Sequence, residues 1–261
     1  MKIHCRSTIL SYFSLTSSII LFITIKLLNF SPRFSDASFY FYLAYHLGKT
    51  GKLYQDFFFT NLPFLPYFLR FWQFLGVTWR QLQFFPVLEA IGATILIYYL
   101  LKKEKVDTFW RTAGAIIFLF SFTVLSTSDY ETGVHLANFL TLFSVFLLAK
   151  NKSWQDGIVG GLAAATKIYT LPVFLGISLW YSFHHKKKTT IFWSSFLLTI
   201  FLLIIPFLIS SPHQFFKQII FYNFTKPTGI PKIKILTFFL KREWAIIIIS
   251  LTLLFMIRKL L

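Results

Sequence analysis

The chain has 261 residues, 56% of them hydrophobic and 13% charged, which excludes an ordinary soluble domain. Its 26 Lys+Arg against 9 Asp+Glu, a net charge of +17, would suggest nucleic acid in a soluble protein. Here the basic residues cluster at the ends of apolar runs, as cytoplasmic loops and anionic lipid headgroups favour, and no RNA-binding motif or zinc-ligand spacing accompanies them. The single cysteine, Cys5, excludes an intrachain disulfide.

The first apolar run, 8–30, follows Lys2, His4 and Arg6. It is too long for the h-region of a signal peptide and lacks a small-residue cleavage site, so it reads as an uncleaved first span with its basic end in the cytoplasm. Lys26, near the outer end, has a stem long enough to snorkel to the interface. Residues 31–80 then form a long outer loop. Asp36 stands where an N-cap belongs, 37–47 reads as an interfacial helix, and Gly48 as its C-terminal stop. A turn at Lys49-Thr50-Gly51 leads to a second interfacial helix, starting near Asn61 with Pro63 in its first turn and ending at Gly76.

The second span, 82–101, is followed by Lys102, Lys103 and Lys105, a cytoplasmic marker. Glu89 lies inside it, and a pairing with Lys26 or Arg111 is expected. The third and fourth spans, 109–125 and 134–149, are joined by a short outer loop carrying Asp129 and Glu131. Segment 156–183 lies between two basic clusters, so it must cross an even number of times. It is too short for two full spans of about 20 residues each, which predicts a pair of short helices with Lys167 near the turn. The alternative, one tilted helix, leaves one basic cluster outside. The seventh span is 190–209. Ser211-Pro212 then opens an amphipathic stretch with Phe215, Phe216, Ile219 and Ile220 on one side. A basic segment (Lys226, Lys232, Lys234) precedes a last span, 244–257.

The predicted fold is therefore an all-α polytopic membrane protein of about eight transmembrane helices, two of them short, with interfacial helices in the first outer loop. It divides into a membrane module, 1–210, whose outer loop 31–80 carries Asp36 and Asp56, and a 211–261 segment that adds an outer interfacial stretch and the last helix. On this topology Asp36, Asp56, Asp129 and Glu131 share the two outer loops. Carboxylates gathered in this way can act as a general base or hold a divalent cation such as Mg or Mn.

The run SDASFYFYLAYHLGKTGKLYQDFFFTNLPFLPYF resembles the first outer loop of the GT-C superfamily of polyprenyl-phosphate-sugar-dependent glycosyltransferases, and most closely the protein-mannosyltransferase-like (RgtA/B/C/D-like) group. The matching features are Asp36 after the first span, the Gly48 to Gly51 turn, Tyr54-Gln55-Asp56-Phe57, and a helix with Pro63 and Pro66. Gly161 to Lys167 resembles a later signature of the same family. The chain departs from the pattern in three ways: Ala37 stands where many members carry a second acid, the two prolines are spaced, and a single span follows the shared module. The last departure suggests a short member, or one completed by a partner.

The resemblance implies an inverting glycosyltransferase of the bacterial inner membrane. It would move a sugar from a polyprenyl-phosphate donor to an extracytoplasmic glycan, lipid or protein acceptor, with Asp36 as catalytic base. Asp56, Asp129, Glu131 and Lys167 are the candidate substrate-binding residues, Lys167 facing the lipid phosphate. Asp129, Glu131 and His135 are a candidate metal set. Beside these stand plainer readings: Asp36 as a helix cap, Asp56 as a loop brace, Asp129 and Glu131 as helix-start acids, and Lys167 as an interfacial lysine. A transporter or lipid flippase, or a non-catalytic partner of a larger enzyme, are the rival functions. The flippase would need polar residues lining several spans, and among the spans Glu89 and Lys26 are the candidates.

Overall fold

Inside a bilayer the backbone has no water to bond, so apolar runs of this length satisfy their N–H and C=O groups within helices. The computed structural model describes residues 2–30, 36–184, 186–225 and 232–242. In chain order the helices are α1 (Lys2–Leu28), α2 (Asp36–Leu47), α3 (Phe64–Phe74), α4 (Trp79–Leu82), α5 (Phe85–Lys103), α6 (Thr108–Leu119), α7 (Phe122–Thr127), α8 (Val134–Ala149), α9 (Ser153–Thr166), α10 (Leu171–His184), α11 (Lys186–Ser210), α12 (Pro212–Phe216), α13 (Tyr222–Thr225) and α14 (Lys232–Arg242). The one β feature among the described residues is the isolated bridge between Leu53 and Phe57.

Four stretches are long and apolar enough to cross a membrane, namely Ile9–Leu28, Trp79–Lys103, Thr108–Thr127 and Lys187–Ser210, and two shorter apolar helices are Val134–Ala149 and Ile168–Leu179. The fold is thus helical and membrane-like as expected. The predicted last span, 244–257, lies outside the described residues.

Side-chain pairs fix the directions of the helices. Ser11 bonds Thr112 near one end and Lys26 bonds the Leu125 carbonyl near the other, so α1 runs parallel to α6 and α7. Ser11 also meets the Tyr98 hydroxyl at 3.3 Å while Phe22 packs with Val87, so α5 runs antiparallel to α1. Ser144 donates to the Asp156 carbonyl at 3.1 Å, folding α9 back along α8. A Cβ on Gly160 would lie 3.1 Å from the Phe174 ring, and Asp156 and Ser178 line one small cavity. The two pairs centre on residue 167, so α9 and α10 form the predicted hairpin, bent where Lys167 is extended at φ −146°, ψ 114°.

Glycine makes the contact between α9 and α11 possible. A Cβ on Gly157 would sit 2.0 Å from Ser195 Oγ and 2.3 Å from the Phe192 carbonyl, and one on Gly161 2.9 Å from the Phe196 carbonyl. With hydrogen at these positions the helix backbones approach closely, as small residues allow in membrane bundles.

The alternating directions bring the 36–80 loop, the 128–133 loop, the 167–170 bend and the segment after Ser210 to one end of the bundle. Gln55 donates to the Ser210 carbonyl at 3.1 Å, and Gln218 clamps the loop by donating to the Tyr54 carbonyl at 2.9 Å and accepting from the Phe59 amide at 2.7 Å.

Several local expectations change. Gly48 does follow the last residue of α2, as expected, though without a left-handed φ; it leaves room for the Arg70 guanidinium, whose Cζ would lie 2.0 Å from a Cβ there. Gly76, at φ +83°, does terminate α3 in the left-handed conformation. In the 212–221 stretch Phe215 and Gln218 are buried whereas Phe216 and Ile220 are exposed, so those two phenylalanines face opposite ways. Lys26 does not snorkel: it is buried and paired with Asp129.

Candidate active site

The site begins with α2. Its buried face is Ala37, Tyr40, Phe41, Leu43 and Ala44, the i, i+3, i+4, i+7 spacing of one helix side. This leaves Asp36 exposed in the first turn, where a carboxylate is favoured by the helix dipole. The helix starts at Asp36 itself, and the capping position before it lies outside the described residues. One turn on, Tyr40 is 6% exposed, and its hydroxyl accepts from Asn61 Nδ2 at 3.3 Å and from Lys167 Nζ at 3.2 Å. Burial, with the charges of Asp36 and Glu131 in addition, pushes the Tyr40 phenol up to about 12. It therefore keeps its proton at any physiological pH and remains a donor.

Lys167 reaches this point because α9 ends at Thr166 and the chain turns extended. Its stem crosses Gly133, where a Cβ would stand 3.4 Å from Lys167 Cε. Its ammonium lies 5.3 Å from the centre of the Tyr40 ring, within cation–π range. Asp36 and Glu131 are its carboxylate neighbours. Gly133 itself is left-handed, φ 79° and ψ 1°, at the start of α8, a conformation that other residues adopt at a cost.

Beneath Lys167 lies Glu131, 0% exposed, with Oε1 accepting the Gly133 amide at 2.6 Å. It also shares a hydrogen bond with Glu89 of α5. Burial raises the Glu131 carboxyl to about 7, against the opposing pull of the Gly133 amide, the Glu89 hydrogen bond and Lys167. The end of the bundle thus gathers one exposed carboxylate, a phenol, an amide and an ammonium group over a buried acid pair. This arrangement suits a substrate that carries both a hydroxyl to be deprotonated and an anionic group.

Residues 57–258 match the model of Glycosyltransferase family 87. The chain belongs to glycosyltransferase family 87. No curated protein and no solved structure matches it. Membership makes the chain a membrane glycosyltransferase, in keeping with its apolar helices, and the family is family 87, where the sequence resemblance pointed towards the RgtA/B/C/D-like group. The matched segment contains Asn61, Glu89, Asp129, Glu131, His135 and Lys167, while Asp36, Tyr40 and Asp56 precede it.

In this family 87 chain the other expected site residues are placed as follows. Asp56 braces its loop, Oδ2 accepting the Lys52 amide at 2.7 Å. Asp129 is ion-paired with Lys26 at 2.5 Å, and Lys26 also donates to the Leu125 carbonyl. His135 Nε2 meets Thr127 Oγ1 at 2.8 Å. Asp129, Glu131 and His135 thus turn to three different partners, and no group of three such ligands forms among the described residues. With its members so engaged, this donor set does not fit a divalent cation. Glu89 meets neither Lys26 nor Arg111: Arg111 donates to Thr108 Oγ1 at 2.8 Å and lies over the Tyr98 ring, whereas Glu89 meets Glu131.

Sequence reasoning missed Tyr40, Asn61 and the meeting of Glu89 with Glu131. Tyr40 was detectable as the residue one helical turn after Asp36, and Glu89 as an acid inside an apolar span. Asn61 was not: its place depends on Tyr54, which is fully buried at the left-handed φ of 68° and donates to the Asn61 carbonyl at 2.7 Å.

Proposed function

We propose that this family 87 enzyme transfers a sugar from a polyprenyl-phosphate-linked donor to an extracytoplasmic acceptor with inversion at the anomeric carbon. Asp36 takes the proton of the acceptor hydroxyl as its oxygen bonds the anomeric carbon. The bond from that carbon to the phosphate oxygen breaks, and its electron pair leaves with the lipid phosphate. Lys167, with Tyr40 and Asn61 beside it, faces that phosphate and offsets its growing charge. Family membership supports the glycosyl transfer. The observation that carries the finer reading is the meeting of Lys167 with Tyr40, one turn from Asp36.

The orientation follows from charge. Lys102, Lys103, Lys105, Lys150 and Lys152 lie at the ends of α5 and α8 and at the start of α9, opposite the site, and under the positive-inside rule this supports an extracytoplasmic site. The test is transfer by purified enzyme from a polyprenyl-phosphate sugar, comparing wild type with Asp36→Asn and Lys167→Met. Loss in both, with inversion in the wild-type product, is the expected result. Full activity in Asp36→Asn, or a retained configuration, would refute it.

A further inference from the structure

Glu89 and Glu131 are buried acids from different elements, 8% and 0% exposed, that meet below the site. Neither Glu89 Oε2 nor Glu131 Oε2 receives a hydrogen bond from any other group among the described residues. Two carboxyl groups can bond each other only through a proton, and two adjacent buried charges would repel strongly. The surroundings of the two are unequal. Glu131 accepts the Gly133 amide and has Lys167 as its neighbour, whereas Glu89 projects from the apolar α5. Amide donation and a nearby ammonium both favour the charged form, so the negative charge belongs on Glu131 and the proton on Glu89.

We infer that Glu89 is a positioning residue: it keeps its proton, donates it to Glu131, and so holds the Glu131 charge under Lys167, fixing that ammonium at Tyr40. The inference extends the reading of Lys167 as the phosphate-facing cation and assigns the acid pair a role in setting it. The remaining charged groups around the cluster are Asp36, which also acts on Lys167 and Tyr40, and the Lys26–Asp129 pair. That pair neutralises itself and leaves Glu131 as the buried counter-charge.

The test reads Lys167 directly. Acetic anhydride labelling of the full-length protein in micelles across pH, with mass spectrometry of the Lys167 peptide, reports the ammonium's affinity for its proton. Glu131→Gln removes the charge, and labelling at pH 8 should rise about tenfold. Glu89→Gln still donates to Glu131 and should stay within twofold of wild type. Glu89→Leu cannot donate and should behave like Glu131→Gln. Wild-type labelling in Glu131→Gln, or equal disturbance by Glu89→Gln and Glu89→Leu, would overturn the inference. If Glu131→Gln fails to fold, combining it with Lys167→Met removes the unmatched charge and should restore a folded protein; failure of the double variant would also overturn the inference. A separate arm adds polyprenyl monophosphate. Absence of protection at Lys167 would count against the phosphate reading while leaving the result for the acid pair intact.

Discussion

Lys167 Nζ lies 3.2 Å from the Tyr40 hydroxyl, joining residues 127 positions apart. The contact ties the bend of the α9–α10 hairpin to the helix that carries Asp36. A cation and a candidate base are thereby brought to one end of the bundle by elements that are not neighbours in sequence.

If the ammonium meets the departing phosphate, Lys167→Met should lower kcat/KM by about 100-fold or more, the usual effect of removing one group that stabilises developing charge. Tyr40→Phe removes a single hydrogen bond and should cost roughly 3- to 10-fold. Steady-state transfer kinetics measure both, and an ordering in which Tyr40→Phe is the worse variant would contradict the assignment.

Asp36 is exposed, so its replacement separates chemistry from stability. Asp36→Asn should reduce turnover by about 100- to 10,000-fold, the range for a lost general base. The thermal midpoint should stay where it is, because surface substitutions usually change stability by less than about 0.5 kcal/mol. A matching drop in midpoint would instead mark Asp36 as part of the fold.

The Lys26–Asp129 pair makes the opposite prediction. Its side chains are 6% and 13% exposed, and breaking a buried pair from one side strands a charge. Lys26→Met should therefore destabilise by about 3–5 kcal/mol. Lys26→Met with Asp129→Leu should be less damaging than the single change, which a double-mutant cycle on thermal unfolding can show.

These residues also show what the sequence could and could not reveal. Helix positions were legible because they depend on local features: 134–149 is α8 to the residue, Gly76 ends α3, and the bend at Lys167 follows from two basic clusters too close for full spans. Partners were not legible. Nothing local to Lys26 selects Asp129 rather than Glu89; that choice depends on α1 lying parallel to α6 and α7 and on Ser121 restarting the helix as α7, its hydroxyl accepting the Val124 amide. Asp36 is singled out through the resemblance of its loop to a known family, since its position after a span is equally that of a helix cap. Glu131 and Glu89 could not be paired without knowing how α5 meets the 128–133 loop.

Glycines test the packing. Gly157→Ala places a methyl group 2.3 Å from the Phe192 carbonyl, backbone that cannot swing aside, so α9 and α11 must part. The expected loss is about 1–3 kcal/mol, as for other overpacked sites. Gly176 in α10 has nothing within 4 Å of its would-be Cβ, and Gly176→Ala should be neutral or stabilising by up to about 1 kcal/mol from helix propensity. Thermal unfolding in one detergent compares the two, and equal effects would contradict the helix spacing.

The acid beneath the site gives the enzyme a pH signature. Glu131 has its carboxyl raised from 4.5 to about 7, chiefly by burial, so the folded state holds a proton that the unfolded chain has already released. The associated stability is fully present below about 4.5 and is lost as pH rises through 7. The wild-type melting temperature should therefore fall between pH 5 and pH 8, and this part of the fall should be missing in Glu131→Gln, which has no proton to lose. The Gly133 amide and Lys167 both oppose the shift, so Lys167→Met, which removes one of them, should move the fall to higher pH. A wild-type profile flat across this range, or one unchanged in Glu131→Gln, would mean that Glu131 does not pass from its protonated form at pH 5 to the charged form facing Lys167 at pH 8.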